Sequence, residues 1–150
     1  MASAPPLTGL ILDDGLFAPL MGLPIGTGSS RVVLTYQGHP ELVIKVGYRH
    51  AQGGNWTEWN LWNQIKDEET LTPLFGECVA MSASGKFLVM EMLRDLTDEQ
   101  AAARLCPPWV TDKKRSAFGI NQAGEIKLRD YGQLALGFFL SKYPSEPAPK

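Results

Sequence analysis

The sequence predicts one α+β domain: a twisted antiparallel sheet, one principal helix laid against it, and a small separate hairpin. Three observations predict it. Apolar-rich segments of strand length recur at 32–36, 42–46, 76–81 and 86–93, divided by turns rich in Gly and Ser. The stretch 55–65 has an amphipathic helical pattern. Phe118 and Ile120, then Ile126 and Leu128, alternate with polar neighbours on either side of Asn121-Gln-Ala-Gly124, the pattern of a hairpin. The 150 residues are the length of one domain, and 44% are hydrophobic, enough for an ordinary core.

The elements follow in chain order. Residues 1–8 are expected to fray. Leu10 to Leu20, punctuated by Asp13-Asp14-Gly15, is expected as a short helix or irregular cover over a sheet edge. Leu23-Pro-Ile-Gly26-Thr-Gly28-Ser29-Ser-Arg31 reads as a glycine-rich turn that leads into a strand from Val32. Gln37-Gly-His-Pro40 turns the chain into a return strand, Leu42–Val46, with Lys45 at a polar position.

In the helix, Asn55 is placed to cap the first turn. Glu58, Trp62 and Ile65 fall at i, i+4 and i+7, which sets a carboxylate on the buried stripe. Unpaired burial is costly, so Glu58 needs a partner, and Lys45 is the candidate. The alternative is a capping box, with Glu58 bonding back to the helix start.

Leu71–Phe75 is a loop, Gly76–Met81 a strand, Ser82–Gly85 a turn and Lys86–Leu93 the next strand. Thr97 and Gln100 form a capping box for a short helix that Pro107-Pro108 stops. The apolar run from Gln133 to Lys142 is expected as a short buried helix. Residues 144–150 are expected as a flexible tail.

Composition excludes several classes. A net charge of −2 and a pI near 5.7 argue against nucleic-acid binding, and Lys113-Lys114-Arg115 reads as a solvated loop. Cys78 and Cys106 make no disulfide framework. His39 and His50 lie far from them, so no zinc site is expected. No Lys or Arg precedes Arg31, so no signal peptide is announced, and no apolar run reaches the length of a membrane span. The expected location is the cytoplasm, with thiols reduced.

The ordered motifs resemble the protein kinase superfamily. Gly26, Gly28 and Val33 match its Gly-x-Gly-x-x-Gly-x-Val loop, with Arg31 in place of the third glycine. Val43-Ile44-Lys45 resembles Val-Ala-Ile-Lys, and Glu58 the helix glutamate that positions the lysine. Met90 matches the residue guarding the back pocket, and Glu91, Met92 and Leu93 the hinge connector. Asp112 falls at the catalytic-loop Asp. Eighteen residues later, Asp130-Tyr131-Gly132 falls at the metal motif. The Asn55-x-x-Glu58-x-x-x-Trp62 pattern is similar to the corresponding helix in small phage and plasmid kinase-like proteins.

The resemblance implies a kinase-like small lobe over about 22–93, with a residual large lobe over 94–142, all within a single domain of 1–150. It implies Asp112 as catalytic base and Asp130 as a Mg²⁺ ligand. Gly26, Gly28, Ser29, Lys45, Glu58 and the main chain of Glu91, Met92 and Leu93 would contact a nucleotide, making Mg-ATP the implied cofactor. Arg31 can add charge to a phosphate contact or block it.

Departures are equally plain. His-Arg before Asp112 is replaced by Val110-Thr111, and the second metal ligand, Asn, is replaced by Ala117. No Ala-Pro-Glu follows, and the large lobe is expected to be truncated. The expected function is a degenerate, pseudokinase-like binding module for a protein partner, host-modulating if of phage type. The alternative is a minimal Mg-ATP-binding phosphotransferase or nucleotide-sensing switch.

Overall fold

The computed structural model describes residues 11–27, 31–48, 53–104 and 114–131. Its order is β1 (Ile11–Leu12), β2 (Met21–Thr27), β3 (Arg31–Tyr36), β4 (His39–Gly47), α1 (Gly53–Ile65), β5 (Cys78–Ser82), β6 (Phe87–Glu91), α2 (Asp98–Ala103), β7 (Phe118–Ile120) and β8 (Ile126–Leu128). The first six strands form one sheet in the order β1-β5-β6-β4-β3-β2, and β7 and β8 form a hairpin. All pairings are antiparallel except β1 with β5. The fold is therefore mixed α+β. A largely antiparallel sheet carries one helix with a lysine–glutamate pairing between them, the arrangement that the kinase resemblance implied for a small lobe.

Both faces of the central strands are covered, which is why β4 and β6 read as nearly continuous apolar runs. Val43, Leu88 and Met90 pack with Trp59, Leu61 and Ile65 of α1 in one core. Leu42, Ile44, Phe87 and Val89 pack with Phe17 and Tyr36 in a second core on the opposite face. Phe17 arrives there on two 3-10 turns, Asp14–Leu16 and Ala18–Leu20, and its ring stacks on Phe87 at 5.5 Å. The Asp14 carboxylate accepts hydrogen bonds from the Ser84 amide (3.0 Å) and hydroxyl, pinning this cover to the β5–β6 turn.

Three expectations are corrected. Leu23–Gly26 is strand β2 rather than a turn. Its pairing with β3 slips on either side of Pro24, which has no N–H to give the ladder and is tolerated because β2 is at the sheet edge. Helix α1 begins at Gly53, so Asn55 lies within its first turn and is not its cap. Strand β6 ends at Glu91, short of Leu93.

The N-terminal cover is a two-residue strand and 3-10 turns, and it does sit on the sheet edge. The capping box at Thr97 and Gln100 is present, but α2 ends at Ala103 with Arg104 extended, ahead of the expected stop at Pro107-Pro108. The β7–β8 hairpin turns at Gly124, whose φ of 85° favours glycine. Its Asn121 side chain accepts from the amides of Ala123 and Glu125. The expected helix at Gln133–Lys142 and both tails lie outside the described residues.

Candidate functional site: a buried ion cluster between sheet and helix

Lys45 is on β4, the strand at the middle of the sheet, and alternation turns it to the α1 face. Glu58 lies one turn beyond Asn55 on the buried stripe of α1. The two meet, with Lys45 Nζ 2.9 Å from Glu58 Oε1. Arg31 opens β3, the neighbouring strand, and its guanidinium also turns inward. It grips Glu58 with both terminal nitrogens, Nη1 to Oε1 at 2.6 Å and Nη2 to Oε2 at 2.8 Å. Nη2 also donates to Asp130 Oδ1 at 2.8 Å. Four charged groups distant in sequence thus converge.

Hydrogen bonds fix each member. Asn55 Oδ1 accepts from Arg31 Nη1 at 3.0 Å, while its amide nitrogen shares two N–H groups among the carbonyls of Lys45, Gly85 and Lys86 at 2.9–3.2 Å. The Tyr131 amide donates to Glu58 Oε2 at 2.8 Å, and Lys45 Nζ also donates to the carbonyl of Arg129. Tyr131 is anchored in turn, its hydroxyl donating to the Gly76 carbonyl at 2.8 Å and lying 3.1 Å from Cys78 Sγ. The residue after Asp130 is therefore built into the core of the site.

Burial sets the electrostatics. It pushes the Glu58 carboxyl up, but Lys45 and Arg31 together outweigh it and hold the group at about 2. For Arg31, burial favours the neutral form, yet the carboxylates of Glu58 and Asp130 win and the guanidinium is held more firmly charged. Lys45 goes the other way. Burial lowers it, and although Glu58 opposes this, the neighbouring Arg31 charge adds to the lowering. The asymmetry follows from the contacts: Arg31 grips both Glu58 oxygens and Asp130, whereas Lys45 has one Glu58 oxygen and a neighbouring cation. Burial likewise raises the Cys78 thiol and the Tyr131 hydroxyl.

No protein-family model and no curated protein matches the chain. Solved structures do. A gentamicin complex of APH(2'')-IIa is similar at 17% identity over 63% of this chain and 33% of that one, with a TM-score of 0.45. ADP-bound aminoglycoside phosphotransferase APH(2'')-Ib is similar at 15% identity over 61% and 31%, with a TM-score of 0.44. A streptomycin–ATP ternary complex of APH(2'')-IIa is similar at 16% identity over 63% and 35%, with a TM-score of 0.41. The chain spans about a third of the length of these structures.

The structure brings Lys45, Glu58 and Asp130 together. Gly26 lies on β2, where an added Cβ would meet nothing closer than Val33 Cβ at 4.0 Å, so packing does not require glycine there. Asp112, Gly28 and Ser29 lie outside the described residues. The connector from Glu91 to Leu93 is tied into the chain. The Glu91 amide donates to Glu77 O (2.9 Å), the Met92 amide to Glu41 O (2.7 Å), and the Leu93 carbonyl accepts from Arg129 Nη1 (2.8 Å). The Glu91 carboxylate holds Lys127 Nζ and Asn121 Nδ2, each at 3.0 Å, so the hairpin is stapled to the connector.

Several of the residues implied for Mg-ATP are engaged within the chain. One oxygen of Asp130 is taken by Arg31, and Lys45 points at Glu58 and a carbonyl rather than at open space. Ala117, at the position of the second metal ligand, is fully buried. Among the described residues no three His, Cys, Asp or Glu side chains gather to hold a metal ion. Sequence reasoning noticed Arg31 but not that it enters the cluster, and it took Asn55 for a cap. The sequence held one hint, a long cation where the loop pattern has glycine, and it does not say which way that side chain turns. A Cβ on Gly54 would stand 3.6 Å from the Arg31 guanidinium.

Proposed function

We propose that the chain is a degenerate kinase-like binding module with little or no phosphotransferase activity. One observation carries this reading: the Arg31 guanidinium sits between the helix carboxylate Glu58 and the Asp130 carboxylate. Phosphoryl transfer relies on a carboxylate-held cation and a lysine presented to phosphate oxygens. Here an arginine occupies the first role's carboxylate.

The scaffold then serves to bind, and a protein is the partner proposed, with modulation of a host protein as the role. Leu23 and Ile25 support a protein contact. They stand two residues apart on edge strand β2, 74% and 49% exposed, where an interacting chain can reach them. The test is a thermal melt with and without Mg-ATP, together with a γ-phosphate transfer assay. No shift and no transfer are expected. Transfer that disappears in Asp130→Ala would overturn the reading.

A second reading, a minimal Mg-ATP-binding phosphotransferase or nucleotide-sensing switch, is favoured by the Lys45–Glu58 contact at 2.9 Å. It requires that Mg-ATP raise the melting temperature of the wild type and that Asp130→Ala abolish the rise.

A further inference from the structure

The ion cluster is lopsided. Arg31, Lys45 and Glu58 are 8%, 6% and 0% exposed and carry two positive charges against one negative. Asp130 supplies the missing negative charge, and its side chain alone faces solvent, at 45% exposed. Its backbone does not depend on that carboxylate, because the Asp130 amide is held by the Ala117 carbonyl at 3.2 Å and the next amide by Glu58. The carboxylate is thus a loose anion set on a rigid cation.

Arg31 is fixed in advance. Asn55 and both oxygens of Glu58 orient its plane, leaving one N–H of Nη2 directed outward to Asp130. A buried excess cation requires an anion beside it, but the anion need not belong to the chain. A planar guanidinium held in place is well suited to phosphate oxygens, and its ordering is already complete.

We propose that this ion cluster is a metal-free oxyanion site whose resident ligand is the chain's own Asp130 carboxylate, and that a phosphate group takes that carboxylate's place on Arg31. The proposal rests on the reading that Arg31 takes the place of a metal cation beside Asp130, and it names the ligand class for that cluster. It also fixes a sign. A metal-binding aspartate loses ligand affinity when removed, whereas an internal competitor, when removed, raises it.

The experiment is calorimetric titration of the full chain with inorganic pyrophosphate in EDTA. Asp130→Ala is expected to bind tighter than the wild type by about tenfold or more, the worth of one charge-assisted contact. Asp130→Asn, which keeps the shape and removes the charge, should gain in the same direction and serves if the alanine variant does not fold. Adding Arg31→Gln to either should cancel the gain. Equal or weaker binding by both Asp130 variants overturns the proposal, as does a gain that survives Arg31→Gln. Mg-ATP-dependent transfer by the wild type would instead refute the absence of activity, and the EDTA series stands apart from that result.

Discussion

Arg31 Nη2 lies 2.8 Å from Glu58 Oε2 and 2.8 Å from Asp130 Oδ1, so one nitrogen joins strand β3, helix α1 and the turn after β8. The fork geometry of the group matters as much as its charge. A lysine at this position has a single ammonium and cannot grip both Glu58 oxygens while reaching Asp130. Arg31→Lys is expected to lower stability by about 1–3 kcal/mol, the range for losing charged hydrogen bonds. Denaturant melts at neutral pH check this; an unchanged midpoint would show that the bidentate grip contributes nothing.

Acid should weaken the fold through Glu58. Its carboxyl is held at about 2 in the folded chain against an ordinary 4.5. Folding therefore favours its charged form. That stabilisation is complete above pH 4.5 and is lost as pH falls towards 2, amounting to about 3 kcal/mol. In Glu58→Gln the acid limb between these values should flatten. The variant should also be less stable at neutral pH by about 3–5 kcal/mol, because two buried cations lose their shared partner.

Asn55→Ala should loosen the junction of α1 with the sheet. The carbonyls of Lys45, Gly85 and Lys86 would lose a common donor, and Arg31 an acceptor. A cost of about 1–3 kcal/mol is expected, since buried carbonyls lose a donor, although the Lys86 carbonyl keeps the Gly47 amide at 2.8 Å. Hydrogen exchange should accelerate first in the opening turn of α1. Protection unchanged in that turn would contradict the role given to Asn55.

Gly85→Ala should be destabilising for two independent reasons. The residue has φ of 84°, and a Cβ there would lie 2.1 Å from Trp56 Nε1. Trp56 must move for any side chain to enter, so a fall in melting temperature should come with a change in tryptophan fluorescence. A stable variant with unaltered emission would show that the turn relaxes freely.

The sheet, the helix and the hairpin were legible because their signals are local. Alternation in β7 and β8 with a glycine at the turn, and the capping box of α2, are decided within a few residues. Strand β2 was not legible, since Pro24, Gly22 and Gly26 oppose strand propensity and only pairing with β3 overrides them. The meeting of Lys45, Glu58 and Asp130 could be expected from motif order. The entry of Arg31 could not, because spacing along β3 does not reveal which way a long flexible side chain turns. Asn55 was misread for a related reason. The same residue type caps helices and binds backbone carbonyls, and only the true helix start separates the two.

The Cys78 thiol has a practical consequence. It is buried, its ionisation is suppressed, and it sits against the Tyr131 hydroxyl and the carbonyl of Glu58. Alkylating reagents attack the thiolate, so this sulfur should be silent while the helix and the Asp130 turn stay docked. With Cys106 replaced by serine, the rate of labelling at Cys78 becomes a clock for how often that docking breaks.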